Sequence, residues 1–191
     1  MQLLLTLLIA AAVFGLCYLV DRAFMKAFRS KAQHRSGLAV RLDKRYGVFG
    51  VVLTILGVMA LCIGLPSDVV LWVGGVIVLA IGISLAVYYL SFGIFYDGES
   101  FLQSRFGRPD IVRTYAEIRG QKLYMIQGGN ILVELYFQDG ATLSLQSTMD
   151  GVYPFLDTAF AGWCMQTNRD PQSCDFHDPS QSLWFPTMEE T

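Results

Sequence analysis

The residues best equipped for chemistry lie close together near the C-terminal end: Cys164, Cys174, Asp175, His177 and Asp178. A histidine between two carboxylates, with thiols nearby, offers donor types that hold zinc or relay a proton. The spacing argues against both uses. Zinc sites pair their ligands at short intervals, as in Cys-x2-Cys, whereas Cys164 and Cys174 stand ten residues apart. A general base needs a nucleophile or a cleft to serve, and no Gly-x-Ser-x-Gly or comparable motif accompanies His177. Gly128-Gly129 is followed by neither Lys-Ser/Thr nor a helix start, so it is not a phosphate loop. These residues therefore read as a hydrogen-bonded histidine and reduced thiols, with no catalytic residue, no metal and no cofactor. A Cys164–Cys174 disulfide is the lesser alternative in a reducing compartment. A metal-dependent enzyme using Cys174, Asp175, His177 and Asp178 is the lesser alternative for function.

What must position these residues is a chain of two unlike halves. Its 191 residues are 53% hydrophobic and only 16% charged. Residues 1–94 carry 8 Lys and Arg against 3 Asp and Glu, net +5; residues 95–191 carry 6 against 13, net −7. An ordinary soluble domain, a basic nucleic-acid binder and a disordered chain are all excluded by that pattern. A membrane-embedded front half and a small acidic soluble back half remain.

Residues 1–94 read as a transmembrane region. Three uncharged apolar runs give spans of about 3–20, 47–65 and 69–95. The first has no positive n-region before it and reads as an uncleaved anchor rather than a signal peptide. Pro66-Ser67-Asp68 is a tight turn, so the second and third spans form an antiparallel hairpin. Gly50, Gly57 and Gly64 recur at seven-residue spacing, as do Gly75 and Gly82. Small residues let helix backbones approach in lipid, so these five form a helix-packing face, within the chain or in a dimer. The loop 21–46 is basic, and the positive-inside rule places it in the cytoplasm. The N-terminus then lies outside and the C-terminal domain is cytoplasmic, at the inner (plasma) membrane. Lys26, Arg29, Lys31 and Arg35 are the candidate contacts to anionic lipid, on an amphipathic helix with Phe24, Met25 and Phe28 toward the bilayer. No span holds a charged residue or a histidine, which argues against a transport pathway.

From about residue 92 the apolar period falls from that of a helix to two. Strands are expected at Phe92–Tyr96, Phe101–Phe106, Ile111–Tyr115, Lys122–Gln127, Ile131–Phe137 and Thr142–Gln146, with turns at Asp97-Gly98, Gly128-Gly129 and Asp139-Gly140. A helix follows from Gly151 to about Gln166, with Pro154 in its first turn. Residues 169–191 form an extended tail whose Phe176, Trp184 and Phe185 pack on their own domain or on a partner. Arg105, Arg108, Arg113, Arg119 and Lys122 face thirteen acids and read as solvated strand ends rather than a headgroup pocket.

This meander with one C-terminal helix resembles the pleckstrin-homology-like (PH-like) fold. The phrases Phe95-Tyr96-Asp97-Gly98-Glu99, Tyr115-Ala116-Glu117-Ile118 and Phe137-Gln138-Asp139-Gly140 are similar to those of bacterial PH-like domains that follow transmembrane hairpins. The whole arrangement resembles a group of small, uncharacterised bacterial membrane proteins with three transmembrane helices. The likeness covers residues 92–168, and it departs from the fold in showing six strands rather than seven. The missing strand could hide in Arg119-Gly120, or the fold could be another small barrel. The expected class is thus a three-helix membrane anchor plus a small α+β domain over 95–168, an antiparallel PH-like meander or barrel with one C-terminal helix. The resemblance implies a non-enzymatic adaptor, sensor or assembly role through protein or lipid interaction. Partners would be the lipid bilayer and either a second copy or another membrane protein, and not nucleic acid. A subunit of a transport or secretion complex is the alternative.

Overall fold

A computed structural model describes residues 15–26, 28, 38–64 and 69–188. The chain divides into two compact units, Met1–Arg29 with Leu42–Phe92, and Ser30–Arg41 with Gly93–Thr191.

The first unit is helical: α1 over residues 15–26, α2 over Lys44–Gly64 and α3 over Val69–Tyr89. Two of these are long and apolar enough to cross a membrane, Lys44–Ile63 and Val69–Tyr89, at mean hydropathies of 2.4 and 2.6. Their apolar side chains point outward, with only 17% and 11% of the residues buried. A core helix of a soluble protein would hide most of its apolar surface, which these two do not. The first 14 residues, which hold most of the expected first span, lie outside the described residues, as does the turn 66–68. Asp43 caps α2, its carboxylate accepting from the Arg45 amide at 2.9 Å. Lys44 of α2 pairs with Asp21 of α1 at 3.1 Å.

The glycines of α2 and α3 meet each other. A Cβ on Gly50 would stand 2.6 Å from the Ala86 nitrogen, and one on Gly57 2.6 Å from the Leu79 nitrogen. From the other side, a Cβ on Gly82 would reach Thr54 at 2.5 Å and one on Gly75 would reach Leu61 at 3.0 Å. The order is antiparallel, and the backbones touch where side chains would hold them apart. Gly64 is the last residue of α2. Thr54 and Ser84 donate to the carbonyls one turn back, Gly50 and Ala80, each at 2.7 Å.

The third span is shorter than its apolar run. Helix α3 stops at Tyr89, the Ser91 hydroxyl donates to the Tyr88 carbonyl, and strand β2 (Phe92–Tyr96) begins at once. Phe92-Gly93-Ile94-Phe95-Tyr96 is apolar enough to extend a span on composition alone, but four of the five are buried in the second unit's sheet.

Among the described residues that unit has seven strands in two antiparallel sheets. The first sheet runs β1-β2-β3-β4, with β1 at Leu38–Arg41, β3 at Ser100–Arg105 and β4 at Ile111–Thr114. The second runs β5-β6-β7, at Ile118–Ile126, Asn130–Phe137 and Thr142–Gln146. The seventh strand is not at Arg119-Gly120, which lies inside β5 at a register shift. It is β1, taken from the basic segment expected to be a cytoplasmic loop. Its register puts Leu38 opposite Tyr96 and Arg41 opposite Gly93. On its other side Arg41 exchanges backbone hydrogen bonds with Asp150 at 3.0 and 2.9 Å, and the two side chains pair at 3.5 Å. Gly151, at φ +81°, follows there because a Cβ would stand 2.5 Å from the Ala39 carbonyl. The compact unit therefore takes in residues 30–41, beyond the expected start at 95.

Helix α4 (Val152–Gln166) lays Phe155, Leu156, Ala159, Phe160 and Trp163 into the core. Phe155 meets Tyr96 and Phe101 edge-on at 5.1 and 5.4 Å, and the Trp163 indole donates to the Ile118 carbonyl at 3.0 Å. One helix thus ties both sheets. A Cβ on Gly162 would come within 2.3 Å of the Tyr115 ring, so glycine is required for that closeness.

The expected tail packs on its own domain. Trp184 and Phe185 are fully buried, each worth roughly 2–3 kcal/mol of apolar burial. The Gln121 amide, itself buried, donates to the Ser182 carbonyl at 2.9 Å and accepts from the Trp184 and Phe185 amides at 3.0 Å. The Gln121 backbone pairs with Pro186 and Met188 at 2.8 Å, a parallel bridge that covers the β5 edge.

Candidate functional site

The residues singled out for chemistry are placed by α4 and the segment after it. The His177 ring stacks flat on Phe160, centroids 3.6 Å apart and planes within 5°. Its amide donates to the Cys174 carbonyl at 2.9 Å, and its Nδ1 is buried without a partner. Asp178 faces its own turn. Its carboxylate accepts from the Ser180 amide at 3.0 Å, the Ser180 hydroxyl and the Gln181 amide group, capping the 3-10 turn Pro179–Gln181. The Ser180 hydroxyl holds that carboxyl below the usual carboxylate range, with the neighbouring amides adding to the effect. Asp175 is exposed. Cys164 and Cys174 are buried free thiols, and the Cys174 thiol donates to the Asp170 carbonyl at 3.5 Å. Burial, reinforced by Cys174, pushes the Cys164 thiol up to about 11, so at neutral pH it is protonated and a poor nucleophile or metal ligand. Among the described residues no three His, Cys, Asp or Glu side chains converge as a metal site requires.

Arginines gather instead at the β3–β4 hairpin. Arg105, Arg108 and Arg113 line a cleft of about 200 Å³, completed by Gln103, Ile111 and Phe137. The hairpin brings them together: Gln103 faces Ile111 in register and Phe101 faces Arg113, while Arg108 sits on the connecting turn. Arg113 is a structural clamp. Its guanidinium lies 4.4 Å over the Phe137 ring and donates to Asp139 at 2.7 Å and to Glu117 at 3.2 Å. The Arg113 donor is the main cause that lowers the Asp139 pKa. Burial pushes Glu117 up, but hydrogen bonds from the Thr114 amide and hydroxyl, together with Arg113, bring it below its ordinary value. Gln103, with its amide turned to satisfy its neighbours, accepts from two Arg105 nitrogens at 3.0 Å each. Arg108 is exposed on the turn.

The remaining basic residues are elsewhere. Arg119 is exposed on β5, and Lys122 lies 5.7 Å over the Tyr136 ring; neither lines the cleft. Lys26 is exposed at the end of α1, while Arg29, Lys31 and Arg35 lie outside the described residues. The amphipathic reading of that segment needs correction at its apolar positions. Phe24 and Phe28 are not lipid-facing: they are buried, 4.8 Å apart, with Phe24 5.8 Å from Tyr89. Met25 is exposed. Sequence reading missed Phe106, an apolar side chain left 77% exposed between Arg105 and Arg108. The signal was available in an aromatic residue immediately before the turn Gly107-Arg108-Pro109, where no core can reach it.

No family model, curated protein or solved structure matches this chain.

Proposed function

We propose that this chain is a non-enzymatic integral membrane protein that holds a PH-like domain at the cytoplasmic face for protein or lipid interaction, as an adaptor, sensor or assembly platform. The observation that carries this reading is the path of the chain. Strand β1 is drawn from between α1 and α2, built into the domain's first sheet, and followed after two residues by α2; β2 follows α3 after two residues. The domain is thereby joined to the apolar helices at two adjacent points rather than by one free linker. Such a mount suits a surface that must meet its target at the membrane.

Four strands in one sheet, three in another and a single helix tying both support the PH-like assignment. The basic segment before α2 supports the cytoplasmic placement. The glycine faces of α2 and α3 are occupied by each other, so a partner or second copy would meet another surface.

Crosslinking in native membranes, followed by affinity purification and mass spectrometry, tests the role. One stoichiometric partner is expected for an adaptor; self-crosslinks alone favour a homo-oligomer, and lipid or ligand binding to residues 95–191 is then the next measurement. Protease cleavage of the domain from the outer face of sealed right-side-out vesicles would overturn the reading.

A further inference from the structure

The β3–β4 hairpin turns through Arg105-Phe106-Gly107-Arg108-Pro109-Asp110. Phe106 is exposed there, and so are Ile111 and Val112 at the start of β4. The core explains none of this, because β4 is the outer strand of its sheet and the turn projects beyond it. Chain direction says which end of the sheet the turn occupies. Arg41 pairs with Gly93, so the end where β1 finishes and β2 begins is the end at which the chain enters α2 and leaves α3. Strand β2 runs away from that end and turns at residues 97–99, where the Asp97 amide donates to the Ser100 carbonyl; β3 then runs back beside β2. The tip carrying Phe106 therefore shares its sheet end with both connections to the apolar helices.

We propose that this tip docks on the anionic headgroup surface of the bilayer that holds the helices, with Phe106 entering the interface and Arg105 and Arg108 facing lipid phosphates. The inference rests on the reading of a domain mounted at the cytoplasmic face and names what one of its surfaces meets. An aromatic ring is favoured at headgroup depth, and a guanidinium engages phosphate through paired donors. Arg105 is braced by Gln103, and Arg108 is exposed on the turn. Asp110 offsets part of this charge, and Arg113 is engaged with Glu117 and Asp139. The surface potential of an anionic leaflet favours each basic residue at contact by about fivefold. A pocket for a soluble anion would use the same arginines but would have no use for an exposed phenylalanine.

Hydrogen exchange read by mass spectrometry on the full chain in nanodiscs tests this. One set of discs holds phosphatidylcholine, the other adds phosphatidylglycerol. Slower exchange over residues 104–112 is expected only in the anionic discs. Arg105→Gln and Arg108→Gln should each remove about fivefold of that protection, and Phe106→Ser should abolish it. Equal exchange in both discs, or protection that survives Phe106→Ser, overturns the proposal. Protection by inorganic phosphate in phosphatidylcholine discs, indifferent to Phe106→Ser, would assign a free-anion site instead and also overturn it. Failure here with a crosslinked partner still captured leaves the interaction-module reading standing; outside-facing protease cleavage removes that reading itself.

Discussion

Gln121 shows how one polar side chain decides the fate of a segment. Its amide satisfies three buried backbone groups of the chain's end, at Ser182, Trp184 and Phe185. A leucine would keep most of the volume and strand all three, at about 1–3 kcal/mol for each group left buried without a partner. Gln121→Leu is therefore expected to lose at least about 3 kcal/mol of domain stability in urea, with Trp184 emission shifting to the red and chymotrypsin cutting near residues 184–185. Unchanged stability would mean that the aromatics alone hold the segment. Arg113 makes a second prediction, about pH. Glu117 and Asp139 both have native pKa values below their ordinary ones. Their contribution is complete above the unfolded carboxylate range, near pH 4, and is lost as pH falls through the lower native values. Arg113→Met should lower the melting temperature at pH 7, and that difference should shrink by pH 3. A difference that holds constant with pH would show that stacking on Phe137, not charge, is what Arg113 contributes. Neither clamp could be read in the sequence. Gln121 and Arg113 look like any polar residue on a strand; the Gln121 partners lie more than sixty residues along the chain, and of the Arg113 partners only Glu117 is local.

Elements were legible where their signal is local. The six strands from residue 92 onward are short β-forming segments punctuated by turn dipeptides, some of them alternating apolar and polar residues, so their existence and order follow from the sequence within a residue or two, save for β5, which starts four residues before the expected strand. Helix α4 follows likewise from its 3.6-residue period. Strand β1 was hidden because Leu38-Ala39-Val40-Arg41 is four residues in a basic segment, and only pairing with β2, more than fifty residues away, makes it a strand. The end of α3 was overestimated because burial in a sheet and burial in lipid select the same apolar residues. The helical hairpin was legible through its glycines, and the structure shows which of them bear on packing. Gly57→Leu would drive a side chain into the Leu79 backbone, with its Cβ alone at 2.6 Å, whereas a Cβ on Gly74 meets nothing within 4 Å. The first substitution should cost about 1–3 kcal/mol or more of helical-hairpin stability in detergent, the range for overpacking a tight contact. Gly74→Leu should leave stability nearly unchanged. Equal effects from both would mean that the α2–α3 approach is not what the glycines serve.

At the scale of the whole molecule, the apolar helices and the domain are not two modules in series, because one strand of the domain's sheet is drawn from between the helices. Cutting the chain at residue 93 would remove β1 and leave the outer edge of β2 without its ladder from Gly93 to Tyr96. It would also remove Val40, which is fully buried, and the two Arg41 hydrogen bonds to Asp150. An open strand edge beside a hole in the core favours pairing between copies. The fragment 93–191 is therefore expected to be less stable, by roughly 3 kcal/mol or more, and to self-associate in size-exclusion chromatography. Register supplies the remedy. Arg41 and Gly93 are directly opposite in the ladder, so a tight Asn-Gly turn is geometrically suited to replace residues 42–92 and join 30–41 to 93–191. That polypeptide should be a monomer with a mainly strand circular dichroism spectrum and one helix. If the fragment lacking β1 were equally monomeric and equally stable, β1 would be a dispensable edge, and the two-point mount on which the functional reading rests would lose its structural reason.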